Sequence, residues 1–276
     1  MKLRSITLVL TCLTLLATRP AAAQESNGRS SESRQACLDG RVATDEGETN
    51  GKIRLKARVG YNIGGTAPIG MPASIRSIES LKLTPNVMAG LDAMYPLTDK
   101  FGLQLALHYE IKDMDGEVTT KGYHMKVKMD DDELEGLYTG HVRQKVRQRM
   151  FTIPLQLTYE LSRKVQLKAG PYLSVLLAKE FYGYAFDGYM RKDDPTGVKV
   201  VMGDKEGEWA TYDFSDDMRN CQMGVAIGMD WAFCRQLGLS VNLSWGLTGI
   251  HRSSFKTVEQ TLYPIYGTIG FFYKIN

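Results

Sequence analysis

The chain has 276 residues, 43% of them apolar, with 27 glycines, 14 tyrosines and nine prolines. That is enough for one domain with a large buried or lipid-facing surface, or two small ones. Its formal charge of +3 is confined to residues 1–23, where Lys2, Arg4 and Arg19 stand without an acid, and the remainder balances 31 basic against 31 acidic residues. Nucleic acid is therefore not an expected partner. No run after the first reaches the roughly 18 apolar residues of a transmembrane helix.

The N-terminus reads as a secretory signal. Lys2 and Arg4 precede the apolar core Ile6–Ala17, and Ala21-Ala22-Ala23 gives an A-x-A site before Gln24, so cleavage is expected after Ala23. Cys12 raises a lipoprotein alternative, but the apolar run before it is short and no small residue precedes it. Residues 24–51 are rich in Ser, Glu, Gly, Asn and Arg, and read as a flexible periplasmic leader carrying Cys37. Residues 52–276 read as the folded domain.

Within that domain the apolar residues recur with period two. Ile53–Gly64, Leu83–Leu97, Phe101–Ile111, Phe151–Leu161, Val165–Leu177, Met218–Phe233, Leu237–Leu247 and Leu262–Asn276 each place large apolar side chains at odd positions and small or polar ones at even positions. Their lengths suit spanning a bilayer with tilted strands. Connections alternate between long segments (65–82, 112–147, 181–217) and tight turns (Thr98–Lys100, Ser162–Lys164, Cys234–Gln236). The expected fold is all-β: an eight-stranded antiparallel transmembrane β-barrel, an up-and-down meander in a Gram-negative outer membrane. A lipocalin-like cup would reverse the faces. Tyr95, Phe101, Tyr159, Trp231, Phe233, Phe271 and Tyr273 share the apolar parity near the short turns, as an aromatic girdle does. Within 112–147, Met125–Met129 alternates weakly before Asp130–Glu133 and suggests a projecting hairpin.

Inward parity gathers Arg54, Lys56, Arg58, Asp92, Glu110, Glu160, Lys168, Asp230 and Lys274. A ring of eight strands leaves room only for side chains, and buried ions must pair. Arg58 or Lys56 is expected to meet Asp92, and Arg54 or Lys274 to meet Asp230, in a side-chain plug; a narrow polar conduit is the alternative. Asp130–Glu133 with Glu135 lacks the spacing of a calcium loop. His108, His124, His141 and His251 have no zinc-site spacing, and no metal or cofactor is expected. Cys221 and Cys234 sit at opposite ends of one strand, too far apart to bridge, so a Cys37–Cys234 disulfide is the expected pairing, against three isolated thiols.

Four segments, Ile153–Tyr159, Ala169–Ser174, Gly224–Met229 and Trp245–Ile250, resemble the PorT-like outer-membrane β-barrel family of Bacteroides-type bacteria. The resemblance runs from about Lys52 to the end. It implies the barrel, and through PorT a link to protein secretion. The C-terminal Phe271-Phe272-Tyr273-Lys274-Ile275-Asn276 departs from the usual terminal aromatic. Separately, His251, Ser253 and Glu259 resemble the His-x-Ser motif of an outer-membrane lipid A deacylase, with Ser as nucleophile, His as base and Glu as orienter. The flanking sequence does not match, and no enzymatic activity is expected. The expected role is structural or interactive, with loops 112–147 and 181–217 displayed at the surface. Expected partners are outer-membrane lipid or lipopolysaccharide and other envelope proteins. Secretion accessory, narrow pore and lipid A hydrolase are the alternatives.

Overall fold

A computed structural model describes residues 52–70, 73–82, 84–129, 132–192, 196–205, 207–255, 257 and 261–276, all in the second of the chain's two units, Thr44–Asn276. The proposed signal and leader, with Cys37, lie outside the described residues, as do Asp130, Asp131 and Glu259.

Twelve antiparallel strands form one sheet: β1 (Arg54–Pro68), β2 (Ile75–Lys82), β3 (Val87–Pro96), β4 (Phe101–Ile111), β5 (Met114–Met129), β6 (Asp132–Glu160), β7 (Val165–Lys192), β8 (Lys199–Met202), β9 (Ala210–Asp213), β10 (Cys221–Ala232), β11 (Leu237–Gly246) and β12 (Leu262–Lys274). Pairing runs in a cycle, β1–β3–β4–β6–β7–β10–β11–β12, and β12 pairs back onto β1 from Lys56↔Lys274 to Pro68↔Leu262. The strand count therefore differs from the eight read from the sequence. The other four strands arise in the long connections, and the projecting hairpin suggested at Met125–Met129 is the turn from β5 to β6, closed at Met129↔Asp132. β2 pairs with β5, β5 with β6, β8 with β7, and β9 joins β7 to β5 through Lys128↔Thr211.

The tight turns are capped by their own hydroxyls: Thr98 Oγ1 accepts from the Phe101 N–H at 3.0 Å, and Ser162 Oγ from the Val165 N–H at 3.1 Å. β4 alternates exposed and buried residues along its whole length. Leu91, Leu105, Leu157, Ile227 and Phe271 are each more than half exposed or nearly so (59, 52, 50, 57 and 55%). An outward apolar belt of that extent around a closed sheet is the surface a bilayer covers. Phe101 and Tyr159, 5.1 Å apart, sit at its short-turn edge.

β6 and β7 run 29 and 28 residues. That is about 95 Å at strand rise, nearly three times what a tilted strand needs to cross a bilayer. Along β6 the polarity inverts. From Phe151 to Tyr159 the odd, outward residues are apolar and the even, inward ones are Thr152, Pro154, Gln156 and Thr158. Before Met150 the odd residues are His141, Arg143, Lys145, Arg147 and Arg149, while Tyr138, Val142 and Val146 are buried inside. Lipid outside gives way to water outside at that point.

On β7 the inversion coincides with a β-bulge. Arg149 pairs with Ala178 but Met150 with Leu176, leaving Leu177 extra. One added residue flips the strand's faces, so Phe181 and Ala185, odd like the lipid-facing Val175, are buried at 2% and 0% exposure. Above the bulge, β2, β5, β8, β9 and the outer halves of β6 and β7 form a crown with its own apolar core, including Met125, Tyr138, Phe181, Met190, Met202 and Ile250.

Candidate functional site

Inside the ring, Arg58 is 2% exposed and projects from β1 between Gly90 and Phe272 in register. Its Nε donates to Asp92 Oδ2 at 2.9 Å, its Nη1 and Nη2 reach the two oxygens of Asp230 at 3.1 and 3.0 Å, and Nη1 also donates to Ser240 Oγ. A rigid guanidinium fork can satisfy two carboxylates at once where an ammonium cannot. Asp230 also accepts from Lys168 Nζ at 2.8 Å and Lys56 Nζ at 3.1 Å. Asp92 further meets Gln104 Nε2 at 3.3 Å and His108 Nε2 at 2.7 Å. Phe272, 2% exposed, lies under Lys56 Nζ at 4.9 Å. Gly228 leaves room for Lys168: a Cβ there would stand 2.8 Å from its Cε.

Of the two candidates for Asp92, Arg58 takes it. The partners of Asp230 differ from the expectation: Lys56, Arg58 and Lys168 meet it, not Arg54 or Lys274. Arg54 pairs with Glu160 at 3.0 Å near the short-turn end. Lys274 stands in register with Lys56 and makes no ion pair among the described residues. Glu110 pairs with Lys112 at 2.6 Å and accepts from Thr152 at 2.9 Å. Lys112, Gln104, His108, Ser240 and Phe272 were missed as members of this network. Lys112 carries the inward parity of β4 one step beyond Glu110, so extending the even row would have found it. A cavity of about 40 Å³ remains, lined by His108, Glu110, Lys112, Tyr172 and Thr268 among others. That holds a few waters at most.

The His251-x-Ser253 pair does not face lipid. His251 is 8% exposed, set between Phe181 at 4.6 Å and Phe255 at 4.7 Å, and its backbone pairs with Met218. Burial lowers its pKa to about 4, so its imidazole is neutral at physiological pH. Ser253 is exposed, and no hydrogen bond joins it to His251 among the described residues. The pair is not on the wall because the chain has already left β11 at Gly246. Cys234 is disulfide-bonded, whereas Cys221 is a free, exposed thiol. Glu133 pairs with Lys126 at 2.6 Å on the β5–β6 hairpin.

On the crown's outer surface Tyr184 stacks on Trp209 at 4.5 Å and 9°. Arg143 donates to the Tyr184 hydroxyl at 2.7 Å and pairs with Glu117.

A closed antiparallel sheet with an apolar exterior and an ion-filled interior defines an outer-membrane β-barrel protein. The chain belongs to the outer membrane protein beta-barrel domain family, whose model matches residues 23–252. No curated protein matches it. Among solved structures it is similar to CarO2 of Acinetobacter baumannii (9% identity, 81% of this chain and 99% of that one, TM-score 0.38). It is also similar to Ail, the attachment invasion locus protein of Yersinia pestis (7%, 82% and 99%, 0.33). A third is OprG from Pseudomonas aeruginosa (11%, 81% and 94%, 0.28).

Proposed function

We propose that this protein is a plugged barrel: the eight-strand cycle spans the outer membrane, its lumen is closed by its own ions, and the crown is a surface for an envelope partner. The single observation that carries this reading is Arg58 bridging Asp92 and Asp230 across the lumen while fully buried. Aromatic and arginine side chains such as Tyr184, Trp209 and Arg143 are the types that anchor protein interfaces. In planar bilayers the purified chain is expected to give no stable conductance steps. Stable steps would favour the narrow-pore reading instead.

A secretion-accessory role of the PorT kind is the second reading. It rests on the PorT-like segments, three of which lie on the adjoining strands β6, β7 and β10, while the fourth begins at the end of β11 and runs past it. Crosslinking in cells followed by co-purification distinguishes the two through the identity of the captured partner.

We further propose Cys37 as the disulfide partner of Cys234, since Cys221 is free and Cys12 falls within the proposed signal. The processed chain is then expected to alkylate at Cys221 alone before reduction and at all three cysteines after it. Cys37→Ser is expected to expose Cys234 to alkylation without reductant.

A further inference from the structure

The outward row of β6 passes without interruption from the lipid belt into a ladder of cations. Phe151 is 39% exposed and makes an edge contact with Tyr109 at 5.7 Å, an aromatic pair at the outer rim of the belt, where rings mark the headgroup level. The next outward residues are Arg149, Arg147, Lys145 and Arg143, each about 7 Å further along the strand.

Their surroundings differ. Arg143, at the top, is held by Glu117 and the Tyr184 hydroxyl. Lys145 stands over Tyr182 at 5.8 Å, with Asp115 opposite in register, and makes no ion pair among the described residues. Arg147 reaches Asp113 only at 3.7 Å, and Glu180 opposite it in register makes no ion pair among the described residues. Arg149 is exposed and has no ion pair or side-chain hydrogen bond among the described residues; its register neighbours are Ile111 and the small Ala178. The cations are therefore least satisfied nearest the membrane, and Ala178 leaves space beside the lowest of them.

We infer that Arg149 and Arg147, with Lys145 above them, bind the phosphate of a phosphorylated glycolipid in the outer leaflet. Guanidinium forks match phosphate oxygens. The apolar residues below, Phe151 and Ile153, would receive that lipid's acyl chains. A glycolipid satisfies both halves of the surface, whereas free phosphate satisfies one.

The test uses the processed full chain in phosphatidylcholine nanodiscs, with diphosphoryl lipid A as probe and bound lipid read by native mass spectrometry. The double substitution R147Q/R149Q is expected to weaken binding at least about tenfold, equal to about 1.4 kcal/mol, and R147K/R149K, which keeps the charge but not the forks, to fall between it and wild type. Dephosphorylated lipid A is expected to bind the wild type as weakly as diphosphoryl lipid A binds the double variant. Inorganic phosphate at the probe's concentration is expected to displace nothing. Heat-modifiable gel mobility confirms that each variant folds. Equal binding by wild type and R147Q/R149Q overturns the site. So does an equal loss in K100Q/K164Q, which removes exposed cations from the short turns. Full displacement by inorganic phosphate overturns the lipid as the source. None of these outcomes depends on whether the lumen conducts.

Discussion

Asp230→Ala is expected to lower the stability of the folded barrel by about 3–5 kcal/mol, the cost of leaving buried charges without their partner. The reason is convergence. Lys56, Arg58 and Lys168 all donate to this one carboxylate, at 3.1, 3.0 and 2.8 Å, and each is at most 5% exposed. Without Asp230, Asp92 is the one carboxylate among the described residues still bonded to any of the three cations, and it reaches Arg58 alone among them. Asp230→Asn keeps the shape and two acceptor lone pairs but not the charge, so it should fall between the wild type and Asp230→Ala. Urea unfolding in lipid vesicles, followed by tryptophan fluorescence, measures all three. A midpoint for Asp230→Ala within error of wild type would mean that the lumen ions are solvated and that the plug is open.

Phe181→Ala is expected to loosen the crown while sparing the barrel. Phe181 is 2% exposed and touches the rings of Tyr212, Phe214 and His251. Truncating a buried phenylalanine costs about 3–5 kcal/mol, and here the loss falls on a core separate from the lumen. Trypsin added outside intact cells should cut the variant within 112–147 or 181–217, where wild type resists. The remaining barrel should keep its heat-modifiable mobility. Simultaneous loss of that mobility would show that crown and barrel unfold as one unit.

The wall strands were legible because one physical signal repeated itself. The alternation over Phe101–Ile111 has the same bounds as β4, and the tight turns fall where Thr98 and Ser162 cap them. Inward parity located Arg58, Asp92, Lys168 and Asp230, but a period says which face a residue takes and not how deep along the barrel it lies. Hence the partners of Lys56 and Arg54 could not be assigned.

The crown was missed for a different reason. Its strands carry apolar residues inside and charge outside, the reverse of the wall, so of 112–147 only the hairpin at Met125–Met129 shows in the sequence, and the rest of the segment has the composition of a charged loop. The bulge at Leu177 hid the rest, since no pattern in that stretch announces one extra residue. Tyr138 shows how local the closure is. Its hydroxyl donates to the Phe186 carbonyl at 2.7 Å, with the His141 carbonyl a second acceptor within reach at 3.1 Å. The chain opposite turns through Asp187 at φ 47°, a left-handed conformation that Asp tolerates better than most residues.

The β6–β7 ladder, from Gly136↔Lys192 to Glu160↔Gln166, passes from membrane to exterior with no linker along it. A pull on the crown is therefore borne as shear by a long row of hydrogen bonds loaded together. A tether joined to the wall by a flexible stalk would extend under the same load and uncouple its tip from the bilayer. Built this way, the protein behaves mechanically as a post, and the crown is held at a fixed height above the apolar belt of the wall.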